Sequence, residues 1–140
     1  MRPFVGLLAG VIAGILVTAF VEAVGHAMFP TPPGVRLTDE DSLAPIVEQV
    51  PMKAVAVLVA WGLGVFVGAS VAFKVAEGAE WPGWAVVIML LAGAGWMLLR
   101  IQPPVWMSVT AVLLMPAAAY AAARMFRSPG LNGPGSVGPA

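Results

Sequence analysis

A four-helix transmembrane bundle, with a short amphipathic helix in its first loop, is the fold this sequence predicts, and three observations predict it. The 140 residues are 60% hydrophobic and only 10% charged, with a strongly positive mean hydropathy, far outside the composition of soluble domains. Four segments reach the roughly 20 apolar residues that about 30 Å of hydrocarbon requires. Two of the three separators, KVAEGAEWP and RIQPP, are short enough to force antiparallel neighbours.

The first span runs from Phe4 to about Phe29 and carries Gly6, Gly10 and Gly14, two overlapping GxxxG units. Its apolar run is too long, and its basic flank too slight, for a cleaved signal peptide, so it is read as a span. A longer, acidic loop follows. Within it Leu43, Ile46, Val47 and Val50 make one helical stripe, preceded by Asp39, Glu40, Asp41 and Ser42, which suit a helix N-terminus. Those acids lack the further oxygen ligands and the glycine of a calcium loop, and capping is the better reading.

The second span, about Met52 to Phe73, spaces Ala60, Gly64, Gly68 and Ala72 at four-residue intervals. Lipid is as apolar as leucine, so helices in a bilayer associate through close backbone approach and interhelical hydrogen bonds. The glycine stripe of the first span is therefore expected to meet this small-residue stripe. The third span, about Trp81 to Leu99, and the fourth, about Pro104 to Ala123, begin with the interfacial tryptophans Trp81, Trp84 and Trp106. Pro116 is expected to kink the fourth. From Ser128 to Ala140 four glycines and three prolines leave nothing to bury, and a disordered tail is expected.

Charge and chemistry narrow the function classes. Seven basic residues balance seven acidic ones and there is no cysteine. Nucleic-acid binding, thiol chemistry and thiolate metal clusters drop out. No HExxH, GxSxG or paired intramembrane aspartates occur, so neither an enzyme nor a cofactor is argued for. The lipid bilayer is the expected surrounding, with a membrane-protein partner or a homo-oligomer as the conceivable protein contact. Arg2, Lys74, Arg124 and Arg127 lie on the side of both termini, against Arg36, Lys53 and Arg100 on the other. That bias favours cytoplasmic termini in a bacterial inner membrane.

One polar site stands out. Glu22 and His26 are one helical turn apart near the end of the first span, on a face expected to lie beside the glycine face. They read either as a polar helix end or as a functional pair; two donors are too few for a metal site. Glu22 lies 18 residues after Phe4, and Arg100 lies 18 after Pro82, so both are expected at one level. A Glu22–Arg100 pair is expected there, with His26 and Trp96 lining the same pocket. Small multidrug-resistance exporters also have four spans, a glutamate in the first and a tryptophan in the second, to which Glu22 and Trp61 are similar. The long first loop and His26 depart from that pattern. The chain more closely resembles small uncharacterised bacterial four-span membrane proteins, in Glu22, Gly25, His26, Phe29, Pro30, Pro32 and Gly34 and in AWGLGVFVG, Ala60 to Gly68. That resemblance covers most of residues 1 to 124 and implies the fold without an activity. The expected role is a structural or accessory membrane protein, and the alternative is a small oligomeric proton-coupled transporter using Glu22.

Overall fold

The structure, a computed structural model, describes residues 1–31, 33, 34 and 47–126. Among the described residues four long helices, α1 (Arg2–Met28), α2 (Pro51–Val75), α3 (Trp81–Ile101) and α4 (Val105–Phe126), make the fold. Each is long and apolar enough to cross a membrane. Proline opens the first turn of α1, α2 and α3, where its missing N–H would lack a helical partner anyway. Lys74, Arg100 and Arg124 occupy the last turns of α2, α3 and α4, where cations suit the helix dipole. The helices therefore run up to three residues past the apolar segments, because hydropathy ends where the charge begins and backbone hydrogen bonding continues through it.

The expected loop helix and the expected tail after Arg127 lie outside the described residues, except that Val47 to Gln49 are helical. Pro116 sits inside α4 without ending it.

Contacts between helices set the directions. Gly6 lies against Ala72 and Gly25 against Ala56, so α1 and α2 are antiparallel. Gly10 lies by Val86 and Gly14 by Leu90, so α3 runs with α1. Gly62 meets Leu114 and the Lys74 ammonium sits 4.7 Å over the Phe126 ring, so α4 runs with α2. We call the end where α1 begins and α4 finishes proximal, and the other end distal.

α2 is the central helix. Half of its most apolar stretch is buried, against 17% for that of α1, and it touches each of the other three helices. Against α1 the contact is backbone to backbone: a Cβ on Gly10 would lie 2.6 Å from the Gly68 carbonyl, and one on Gly14 would lie 3.0 Å from the Gly64 carbonyl. Each step moves four residues along one helix and four back along the other. This is the close approach by which helices associate in lipid. The opposite face of α1, including Leu8, Ile12, Leu16 and Phe20, is exposed and suits acyl chains. α4 packs on α2 through small and flexible residues, with Ala111, Met115, Ala119 and Ala122 all buried.

Aromatic and ionic contacts close the proximal end. Phe4 meets Trp81 edge-on at 5.5 Å between ring centroids, and Phe73 meets Trp84 at 6.1 Å. Arg2 pairs with Glu77 in the turn after α2, with both side chains exposed. At the distal end Lys53, 7% exposed, donates to the Thr31 hydroxyl at 2.5 Å and ties the start of α2 to the segment leaving α1.

α3 ends on Gln102, whose φ of 45° is left-handed while its N–H bonds the Leu98 carbonyl at 3.2 Å. A side chain there carries a cost of about 1 kcal/mol relative to glycine. Gln102→Gly is expected to raise the thermal midpoint in detergent, and an unchanged or lower midpoint would show that this turn is not strained.

Candidate functional site

The polar group of α1 that matters is Glu22, and the glycine ridge delivers it. On a straight helix a row of four-residue steps drifts around the axis by about 40° per step, which is why Glu22 was expected to leave the packing face. In the structure Glu22 lies at the edge of the packing face, lining the space between α1, α2 and α3. The ridge Gly6, Gly10, Gly14, Thr18, Glu22 is followed by a three-residue step to Gly25, which meets Ala56. The three-residue step offsets the drift and brings Gly25 back onto α2, while Glu22 is half-buried at the edge of the packing face and His26 is exposed.

Two polar side chains then tie the row to α2. Thr18 Oγ1 donates to the Gly14 carbonyl at 2.9 Å and lies 3.4 Å from the Ala60 carbonyl across the interface. Above it the indole Nε1–H of Trp61 donates to Glu22 Oε1 at 3.0 Å. Trp61 is 9% exposed, so this bond is largely shielded and charge-assisted, the stronger class of hydrogen bond.

The other expected members of the site lie elsewhere. His26 uses Nδ1 on the Glu22 backbone carbonyl, 2.8 Å away, which makes Nδ1 the protonated nitrogen and leaves the carboxylate untouched. The expected Glu22–Arg100 ion pair is not formed. Arg100 is exposed and lies 5.8 Å over the ring of Trp96 on its own helix. The levels do correspond, because α3 runs beside α1 from Gly10 and Val86 to Gly14 and Leu90. The faces do not. Beyond Leu90, Gly93 meets nothing within 4 Å and lines an open space between α3 and α1. Neither His26 nor Trp96 lines the space this leaves.

That space is a cleft of about 420 Å³. Its floor is Trp61, Val65, Ala94 and Met115, all buried. Its opening lies between Ile15 and Ala19 of α1 and Met89, Gly93 and Met97 of α3, all exposed. The cleft therefore opens sideways, through the apolar girdle of the bundle. Its polar groups are Thr18, the Trp61 indole N–H and the Glu22 carboxylate. Among the described residues no three histidine, cysteine, aspartate or glutamate side chains converge as they would to hold a metal ion.

Trp61 is the site residue that sequence reasoning named only through a resemblance. A physical signal for it was present: once Gly14 is set opposite Gly64, Glu22 falls opposite Ala56, and an indole five residues further along α2, roughly a turn and a half, is long enough to span the difference.

Four long apolar helices joined up and down define the class: a multi-pass helical membrane protein. Compared with known proteins, the chain matches no family model, no curated protein and no solved structure.

Proposed function

We propose that the chain is a membrane-embedded binding protein that takes small amphipathic molecules from the bilayer, the ligand-handling unit of a small transporter built on Glu22. The observation that supports this is the lateral cleft: apolar walls, a volume of about 420 Å³ and one carboxylate at the same site. Small-molecule sites are concave, mostly apolar and of roughly 300 to 1,000 Å³, with few polar groups to fix orientation. The cleft is formed within one chain, so this reading needs no second copy. Arg2, Lys74 and Arg124 at the proximal end, with Arg127 following in the sequence, favour cytoplasmic termini in a bacterial inner membrane.

Gly93→Leu tests the reading. The new side chain has open space to enter, and it fills the cleft without crowding the α1–α2 contact. In nanodiscs of neutral phosphatidylcholine, energy transfer from the protein's tryptophans to the apolar dye diphenylhexatriene is expected to saturate for the wild type. Gly93→Leu should show only the unsaturable background of dye dissolved in lipid. Equal curves for the two proteins would refute a binding cleft.

The accessory-protein reading draws on a different observation, that Glu22 is already partnered by Trp61 within the chain. It requires a membrane-protein partner that co-purifies with the wild type and equally with Gly93→Leu.

A further inference from the structure

Methionine is concentrated in the cleft. It supplies three of the twelve residues that line it, Met89, Met97 and Met115, where a share of eight in 140 would supply fewer than one. Met89 and Met97 lie one four-residue step to either side of Gly93 at the opening, each about half exposed. Met115 belongs to the floor and is 3% exposed. Met107, eight residues earlier on α4, is also buried, at 7% exposed, yet does not line the cleft. The exposed methionines elsewhere on the helices, Met28, Met52 and Met125, stand within one turn of a helix end. As ligands for one soft metal ion the cleft's thioethers are badly spaced, since Met89 and Met97 are two turns apart, about 12 Å along α3. As reactive groups they are well placed, because a thioether takes up one oxygen from a peroxide to become a sulfoxide.

We propose that the cleft is a methionine-oxidation site for organic hydroperoxides dissolved in the bilayer, and that oxidation closes it to apolar ligands. The proposal rests on the binding reading above, since a hydroperoxide with an apolar body is a small amphipathic molecule of the kind that reading admits. A sulfur lone pair attacks the terminal peroxide oxygen. The S–O bond forms as the O–O bond breaks, and the proton of that oxygen passes to the departing alkoxide. Methionine ends as the sulfoxide, oxidised by two electrons, and the hydroperoxide ends as the alcohol, reduced by two. No further reactant is needed. The product does not suit its surroundings. A sulfoxide is polar, while the Thr18 hydroxyl is held by the Gly14 carbonyl and the Trp61 N–H by Glu22, so the cleft's side chains have no free donor to bond it. Sulfoxide oxygens at Met97 and Met115 thus put an unsatisfied polar wall where an apolar ligand had contact, and its affinity falls.

The test treats the protein, in nanodiscs of saturated phosphatidylcholine, with cumene hydroperoxide or with hydrogen peroxide, and maps sulfoxide at each methionine by peptide mass spectrometry. With cumene hydroperoxide, Met115 is expected to oxidise at least about five-fold faster than Met107, although both are buried. Gly93→Leu should bring Met115 down to the Met107 rate and leave Met28 and Met125 as they were. Hydrogen peroxide, which stays with water, should oxidise Met28, Met52 and Met125 first and Met115 no faster than Met107. The affinity for diphenylhexatriene should fall at least about five-fold after cumene hydroperoxide treatment. A triple variant, Met89→Leu with Met97→Leu and Met115→Leu, nearly conserves volume and should keep its binding through the same treatment. Equal rates at Met115 and Met107, no protection by Gly93→Leu, or equal attack on Met115 by hydrogen peroxide would refute the oxidation site, while the cleft reading stands on the untreated titration. Undiminished dye binding once Met97 and Met115 are oxidised would refute the closing. An untreated wild type with no saturable dye binding removes the cleft reading and this proposal with it.

Discussion

Gly64→Leu is expected to cost the bundle about 3 kcal/mol, the upper end of what overpacking a tight core does. A Cβ at Gly64 would overlap the Thr18 hydroxyl and stand 3.0 Å from the Gly14 carbonyl. The hydroxyl can rotate but the carbonyl cannot, so α1 and α2 have to separate. Separation also breaks the Thr18 and Trp61 bonds, which need the same approach. Leucine is the better helix former by about 1 kcal/mol, so the loss would be measured against an intrinsic gain. Gly10→Leu should behave alike, since its Cβ would lie 2.6 Å from the Gly68 carbonyl. Gly95→Leu is the control: nothing lies within 4 Å, and its unfolding midpoint should match or slightly exceed the wild type. Reversible unfolding in mixed micelles measures all three, and a wild-type midpoint for both Gly64→Leu and Gly10→Leu would show that backbone approach does not hold α1 to α2.

The second large effect is the coupling between Glu22 and Trp61. Trp61→Phe keeps most of the ring and removes the donor; Glu22→Leu removes the acceptor and its charge. A hydrogen bond to a charged group contributes about 1.5 to 3 kcal/mol, and the lower end is expected here because Glu22 is only half-buried. The double variant should therefore be more stable than the sum of the singles by about 1.5 kcal/mol. The companion cycle of Glu22→Leu with Arg100→Gln should show a coupling near zero, since Arg100 stacks on Trp96. No coupling in the first cycle, or more than about 1 kcal/mol in the second, would mean that the carboxylate faces α3 and not α2.

These two results separate what is legible in the chain from what is not. The sequence by itself determined the class and the spans, because crossing a bilayer demands a length and an apolarity that few other contexts tolerate. It also marked Glu22 as unusual, since a carboxylate among apolar residues is costly anywhere in a bundle. Residue spacing placed Glu22 and Arg100 at one level, and the parallel course of α1 and α3 agrees with that. Spacing along one helix says nothing about rotation around it or about the gap to a neighbour.

Only the tertiary structure decided those. Small steric facts settle them: an indole on α2 long enough to reach a carboxylate at the edge of the packing face, and glycines at 93 and 95 that face open space instead of a neighbour. The same residue type thus has opposite consequences at Gly64 and Gly93. In one place the missing side chain admits another backbone, and in the other it leaves a cleft beside the acid. Gly64 belongs to a four-residue series of small residues and Gly93, with Met89 and Met97 four residues to either side, does not; what the series leaves open is the angle at which a second helix passes, a property that exists only once the helices have packed.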